Sequence, residues 1–327
     1  GSEMCIRDRC NDHKRVPHCF LPGPFCRPSF PGLFPPQICG VKVLRFSVVF
    51  RRTMRTDHPI LVKCPVFLLT LTLAWLVSGQ SGQAAESRLE GEVERYVKSL
   101  RSKGAIQTDE RTAWLVYDFT SGKTLVSINE NQQLQAASMI TPYLALAFFH
   151  QVRAGKLIYG STSRRHMELM IQKSNNASTN WVMRQTGGPV ATAALLKRHY
   201  PSLCRHLHLV EYVPAGGRTY RNLCSAGDYG RFLQSLWTGA LPHSKEILRV
   251  MGLPGRDRLY TNARRVPQGT RVYNKTGSTA RCCGDMGILV ARGNDGRSYP
   301  YAVIGIIDSG TRNESYGSWI TSRGIVS

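Results

Sequence analysis

No apolar run in this 327-residue sequence has the length of a membrane span. The run that comes nearest, Pro65–Val77, has 13 residues where a span needs about 20. Acid is scarce as well, with 21 Asp and Glu against 43 Lys and Arg and a net charge of +22. The excess base is spread out, without the stripe or recognition motif of a nucleic-acid binder. Nucleic acid is therefore not expected as a partner, whereas attraction to anionic envelope polymers is. Cysteine is sparse where the chain reads as a domain, since residues 85–327 hold only 4 of the 10. Two of those four, Cys282 and Cys283, are neighbours, and neighbours rarely bridge each other; their pairing stays open. Cys204, His206 and His208 in "CRHLHL" alternate as on a strand but offer too few ligands for a metal site. No metal and no cofactor is expected. No internal repeat is present, which removes solenoids and arrays.

The ends of the chain differ in kind. Residues 1–40 hold seven prolines and five cysteines with no helical or strand period. An odd cysteine count in so irregular a stretch fits an unstructured or non-native leader, here taken as 1–53, better than a disulfide mini-domain. Arg51, Arg52, Arg55 and Lys63 then precede the short apolar run and the small residues of "SGQSGQAAE". That order is the pattern of a secretory signal, residues 54–85, cut after Ala84 or Ala85, with an uncleaved N-terminal anchor as the alternative. The expected product is a secreted or periplasmic domain over 86–327, with no membrane span in its mature form.

Within that domain, "SRLEGEVERYVKSLRSKG" predicts an amphipathic helix ending near Gly104. "TAWLVYDF" and "KTLVSIN" flank Ser121 and Gly122 and predict a hairpin. Largely helical sequence runs from Ser138 to about Ala240, broken by "TGGP" and by a loop from Glu211 to Asn222. "TRVYNKTG", "DMGILVAR" and "YPYAVIGIID" then predict three strands. Strands at both ends of the domain can share one antiparallel sheet, with the helical block inserted as a second lobe. A cleft between the two is the expected site.

Three stretches carry chemistry. Ser138 stands at the start of the apolar helix "QAASMITPYLALAFFHQV", where free N–H groups and the helix dipole favour developing negative charge. A plain N-cap would use the same residue type. "QKSNNASTNW" sets Ser174, Asn175 and Asn176 at the start of another helix. "VYNKTGSTA" sets Lys275, Thr276 and Gly277 at a strand end, where a lysine and hydroxyls can hold an anionic substrate and glycine lets backbone approach.

In this order, and over roughly Ser87 to Ile325, the three stretches resemble the penicillin-recognising serine hydrolases, in particular the class A β-lactamase-like branch with its Ser-x-x-Lys, Ser-Asp-Asn and Lys-Thr-Gly motifs. The resemblance implies an α+β fold of the β-lactamase/penicillin-binding-protein type: a five-stranded antiparallel sheet flanked by helices, plus an inserted all-helical lobe. "SYGSWITSRGIVS" reads as only the beginning of that fold's closing helix. The resemblance also implies roles. Ser138 is the acylated nucleophile, and Ser174 and Lys275 pass a proton toward the leaving nitrogen. Asn176 binds the substrate amide, Thr276 and Thr279 its carboxylate, Gly277 lets the strand backbone approach the substrate, and the N–H groups of Ser138 and Thr279 form the oxyanion hole. Asn180 falls where the family has a loop-bracing asparagine.

Three departures stand against that pattern. The residue three after Ser138 is Thr141, not lysine, and a threonine hydroxyl is no base near neutral pH. Glu211, 37 residues after Ser174, lies where a deacylation base is expected, yet its surroundings "EYVPAGGRTYRN" are unfamiliar, so a solvated loop charge competes with the base. Finally, 36 residues separate Ser138 from Ser174, about two dozen fewer than the class A pattern. The expectation is an exported, monomeric β-lactamase-like serine hydrolase with activity impaired at Thr141, conferring antibiotic resistance where it turns over. Its substrate is a small β-lactam or a D-Ala-D-Ala-like peptide. A D,D-peptidase or other amidase of the same fold, and an inactive binder of cell wall or β-lactam, are the alternatives.

Overall fold

A computed structural model describes residues 87–214, 221–260, 263, 266–310, 317, 319–321 and 323 of the chain. The leader (1–53) and the signal segment (54–85) lie outside the described residues.

Helix α1 (Arg88–Ser102) begins where Ser87 accepts the Glu90 N–H at 3.0 Å, a side-chain cap for an orphan donor. Glu90 then accepts the Ser127 N–H at 2.6 Å and ties the helix to the sheet. Strands β1 (Glu110–Asp118) and β2 (Lys123–Ile128) form the expected hairpin. A two-residue strand β3 (Leu134–Gln135) leads into a 3₁₀ turn, Ala137–Ile140, and that into α2 (Thr141–Arg153). Every residue of α2 from Thr141 to Phe149 is buried, which is why its sequence is apolar all round rather than on one face.

Helices α3 (Ser161–Gln172), α4 (Asn176–Gln185) and α5 (Pro189–His199) follow, then the short strand β4 (Leu223–Cys224), which pairs with β3. Only α2 and α3 lie between Ser138 and Ser174, the physical form of the short spacing. Helices α6 (Ala226–Trp237) and α7 (Ser244–Met251) return the chain to β5 (Arg271–Ser278), β6 (Cys282–Arg292) and β7 (Ser298–Ser309). The sheet order is β2-β1-β7-β6-β5, antiparallel throughout, so strands from both ends of the domain meet and β5 is an edge. Met286, Ile288, Ala302, Ile304 and Ile306 of the sheet share one core with Leu144, Phe148 and Phe149 of α2. Described residues among 317–323 are helical, and Arg323 donates to both oxygens of the buried Glu110 at 2.9 Å. Cys204, Cys224, Cys282 and Cys283 are all buried free thiols.

Two glycines of the sheet set the height of the 3₁₀ turn. A Cβ on Gly277 would meet Met139 Cγ at 2.9 Å and Ala137 Cβ at 3.1 Å. One on Gly284 would meet Met139 Sδ and the Gly305 carbonyl oxygen, both at 2.9 Å. Bare backbone is what allows the turn to lie on the strands. Gly284→Ala is expected to cost about 1–3 kcal/mol through overpacking against a carbonyl that cannot yield. The urea midpoint measures it, and an unchanged midpoint would show that the turn can shift without loss.

Candidate active site

Ser138 sits within the 3₁₀ turn, three residues before α2 begins, rather than at the N-terminus of the α-helix itself. Its predecessor Ala137 has φ +44, a left-handed conformation that a residue with a Cβ adopts only under constraint. Contacts of Ala137 and Met139 with Gly277 supply that constraint from both sides of the serine. Ser138 is itself half-buried.

Ser174 is the second strained residue, at φ +51 between α3 and α4. Asn175 follows as the cap of α4, accepting the Ser178 N–H at 2.8 Å. Asn176 is the first residue of α4 and is exposed. Lys275 is 2% exposed, and its Nζ donates to Ser174 Oγ at 2.5 Å and to the Thr276 carbonyl at 2.8 Å. Burial pulls Lys275 down to about 8, with Asp285 opposing the fall and Arg258 adding to it. Positive φ at two non-glycine residues around one lysine fits a built site, where such strain accumulates. The three motifs are thus joined by contacts: the Ser138 turn lies on Gly277, and Lys275, two residues before that glycine, holds Ser174.

Thr141 is buried, and its hydroxyl donates to the Ser138 carbonyl at 2.9 Å. That bond spends the hydroxyl proton on main chain and closes the turn. It gives Ser138 Oγ no base.

The oxyanion assignment needs correction at Thr279. Its N–H donates to the Cys282 carbonyl at 2.9 Å, closing the β5–β6 hairpin, and its buried hydroxyl donates to Gln135 at 2.8 Å. Neither group is left for a substrate, so Thr279 also drops out as a carboxylate ligand. Antiparallel pairing alternates between bonded and unbonded pairs. With Thr279 bonded to β6, Ser278 opposite Cys283 turns its N–H away from β6, toward the open edge. Of the two residues, Ser278 is therefore the one whose N–H faces the open edge. The same alternation puts the N–H of Thr276 on that edge, where Thr276 is half-buried.

Glu211 stands at the neck of the loop it begins. Its Oε1 accepts the Arg221 N–H at 2.9 Å, while Asn222 accepts the N–H groups of Val210 and Glu211 at 2.9 and 3.1 Å. Asn180 clamps the same loop, donating to the Val213 carbonyl at 2.7 Å and accepting its N–H at 2.9 Å. Both ends of the loop are thus fixed, and Glu211 is held half-buried. Sequence reasoning missed Arg258 and Asp285. Arg258 donates to Ser278 Oγ at 2.7 Å, and buried Asp285 stands opposite Thr276 on β6. Their one legible trace was charge close to the Lys-Thr-Gly strand. Among the described residues no three His, Cys, Asp or Glu side chains gather as a metal site would require. Nor is any helix there long and apolar enough to cross a membrane.

Comparison with solved structures agrees with this architecture. A mutant of PBP-A, solved as an acyl-enzyme complex with penicillin G, matches with a TM-score of 0.56 at 18% identity, over 72% of this chain and 94% of that one. An ancestral class A β-lactamase (GNCA) matches at 0.55 and 17% identity, over 73% and 98%. A β-lactamase from Xanthomonas campestris pv. campestris matches at 0.54 and 17%, over 71% and 94%. At such identities the likeness shows the fold. No curated protein sequence matches the chain. A family profile described as "Beta-lactamase enzyme family" does match it, over residues 92–162 and 159–320. By its sequence profile as well as its fold, the chain belongs to the β-lactamase enzyme family.

Proposed function

We propose that this chain is an exported serine hydrolase that forms an acyl-enzyme on Ser138 with β-lactams and turns it over slowly. The observation that carries the reading is the contact of Lys275 with Ser174, set two residues from the glycine on which the Ser138 turn rests. Ser138 Oγ attacks the lactam carbonyl carbon and the carbonyl–nitrogen bond breaks. The proton leaving Oγ travels through Ser174 to neutral Lys275 and returns to the lactam nitrogen. The N–H groups of Ser138 and Ser278 face the developing oxyanion, Asn176 the substrate amide, and Thr276 its carboxylate. Glu211 is the candidate for activating the water that releases the acyl group. Export rests on the basic, apolar and small-residue order of residues 54–85. Thr141 favours one further reading, a protein that takes up β-lactam or cell-wall peptide and scarcely releases it, because the usual neighbour of the serine is missing. A D,D-peptidase would share every step up to the acyl-enzyme.

The test is intact mass after incubation with penicillin G, followed by peptide mapping. The expected result is one added penicilloyl group on the peptide that contains Ser138. An adduct on another residue, or none at high penicillin concentration, overturns the reading. A D-Ala-D-Ala peptide offered in parallel separates lactamase from peptidase by which of the two is released faster.

A further inference from the structure

Beneath the edge of β5 lies a carboxylate that acyl transfer does not use. Asp285 of β6 is 1% exposed. It accepts the main-chain N–H of Arg258 at 2.8 Å, and Asn274 Nδ2 reaches its two oxygens at 2.8 and 3.0 Å. Arg258 turns its guanidinium elsewhere, donating to Ser278 Oγ at 2.7 Å and to the Gly284 carbonyl at 3.1 Å. The carboxylate therefore grips the backbone of an arginine and leaves its charge for the strand edge. A buried acid is costly unless the arrangement gains by it. Here the gain is placement. The segment after α7 has no regular structure at Arg258, and Asp285 fixes its main chain to the sheet where the guanidinium bonds to Ser278 and Gly284 fix its side chain.

We propose that Asp285 is a positioning residue that anchors Arg258 beside Ser278 and couples its own charge to that of Lys275. The proposal rests on the acyl-transfer reading for its consequence, though not for its geometry. Two charged groups act on Lys275, Asp285 of β6 and Arg258 of the segment after α7, and Arg256 lines a recess beside Lys275 between α3, α7 and β5. Ser174, from the α3–α4 connection, is uncharged. Burial pushes Asp285 up to about 7, while Arg258, Asn274 and Lys275 restrain the rise. Ionised Asp285 favours the charged form of Lys275, and Arg258 disfavours it.

The signs separate positioning from simple support. Asp285→Asn keeps an oxygen for the Arg258 N–H and removes the charge, so Lys275 should titrate lower by about one pH unit. Asp285→Ala also removes the main-chain anchor of Arg258, so the fall should be smaller. Arg258→Gln should move Lys275 upward. The measurement is a pH titration of the Lys275 ε-carbon by NMR with labelled lysine. In the unsubstituted protein the same signal should carry a second inflection near the Asp285 titration, a readout that needs no variant to fold. The pH at which penicillin acylation accelerates is followed in parallel and should move with the Lys275 titration. If Lys275 titrates unmoved in Asp285→Asn and shows no second inflection in the unsubstituted protein, the proposal is overturned, whatever the rates do. If the titrations shift as stated and no variant acylates, Asp285 keeps its role and the acyl-transfer reading falls instead.

Discussion

Lys275→Met should lower the rate of acylation by penicillin about 10²–10⁴-fold, the usual worth of a placed general base. The expectation follows from one contact and one sign. Nζ lies against Ser174 Oγ, and burial has drawn Lys275 down from 10.5 to about 8. Its base form is the neutral amine, so the competent fraction grows as pH rises through about 8 and levels above it. Near pH 7 about a tenth of the molecules carry the neutral amine, enough to work slowly. Single-turnover acylation across roughly pH 6 to 10 should therefore rise in the unsubstituted protein and be low and flat in Lys275→Met. Lys275→Arg should not restore it, because a guanidinium stays protonated throughout. A rate that instead falls as pH rises through about 8 would show Lys275 acting as a fixed cation, with the proton leaving Ser138 by another route.

What could be read in the sequence divides along physical lines. Local patterns carried α1, the β1–β2 hairpin and the three late strands, because period and turn residues are properties of neighbours. The two-lobed order followed, since strands at both ends of a domain have few other ways to bury one face. The backbone at Ser138 did not follow. It reads as a helix start, and becomes a 3₁₀ turn with a left-handed Ala137 only because Gly277 and Gly284 admit Met139 from far along the chain. Thr279 failed for a related reason. Which N–H groups of β5 face the open edge depends on the register with β6, and a one-residue change exchanges them all. Ser278 and Thr279 are both small hydroxyl residues, so sequence alone could not choose between them. Arg258 and Asp285 were hidden more deeply, since one sits in a segment without period and the other looks like any strand residue until Thr276 is set opposite it.

Thr141→Lys should raise β-lactam hydrolysis by about 10²–10⁴-fold, since it would return an amine to the turn that follows the nucleophile. Thr141 is buried and its hydroxyl is bonded back to the Ser138 carbonyl, so the change gives up one hydrogen bond worth about 1 kcal/mol. The larger demand is room, because a lysine stem must leave the buried position and run along β5 toward Ser174. If it does, its ammonium arrives near Lys275. Two like charges at close range disfavour one another, so at least one amine stays neutral at lower pH than Lys275 reaches alone. Two consequences can be measured. The pH at which acylation accelerates should fall in Thr141→Lys, and Lys275→Met should cost less in that background than in the unsubstituted protein, because the base is then supplied twice. Hydrolysis of a chromogenic cephalosporin by the four proteins of this cycle gives both. Independent, multiplying effects of the two substitutions would mean that the new amine does not share a proton path with Lys275. No gain from Thr141→Lys, together with fast acylation and a persistent adduct, would move the fault to acyl release and hence to Glu211, whose carboxylate is held at the loop neck by the Arg221 N–H.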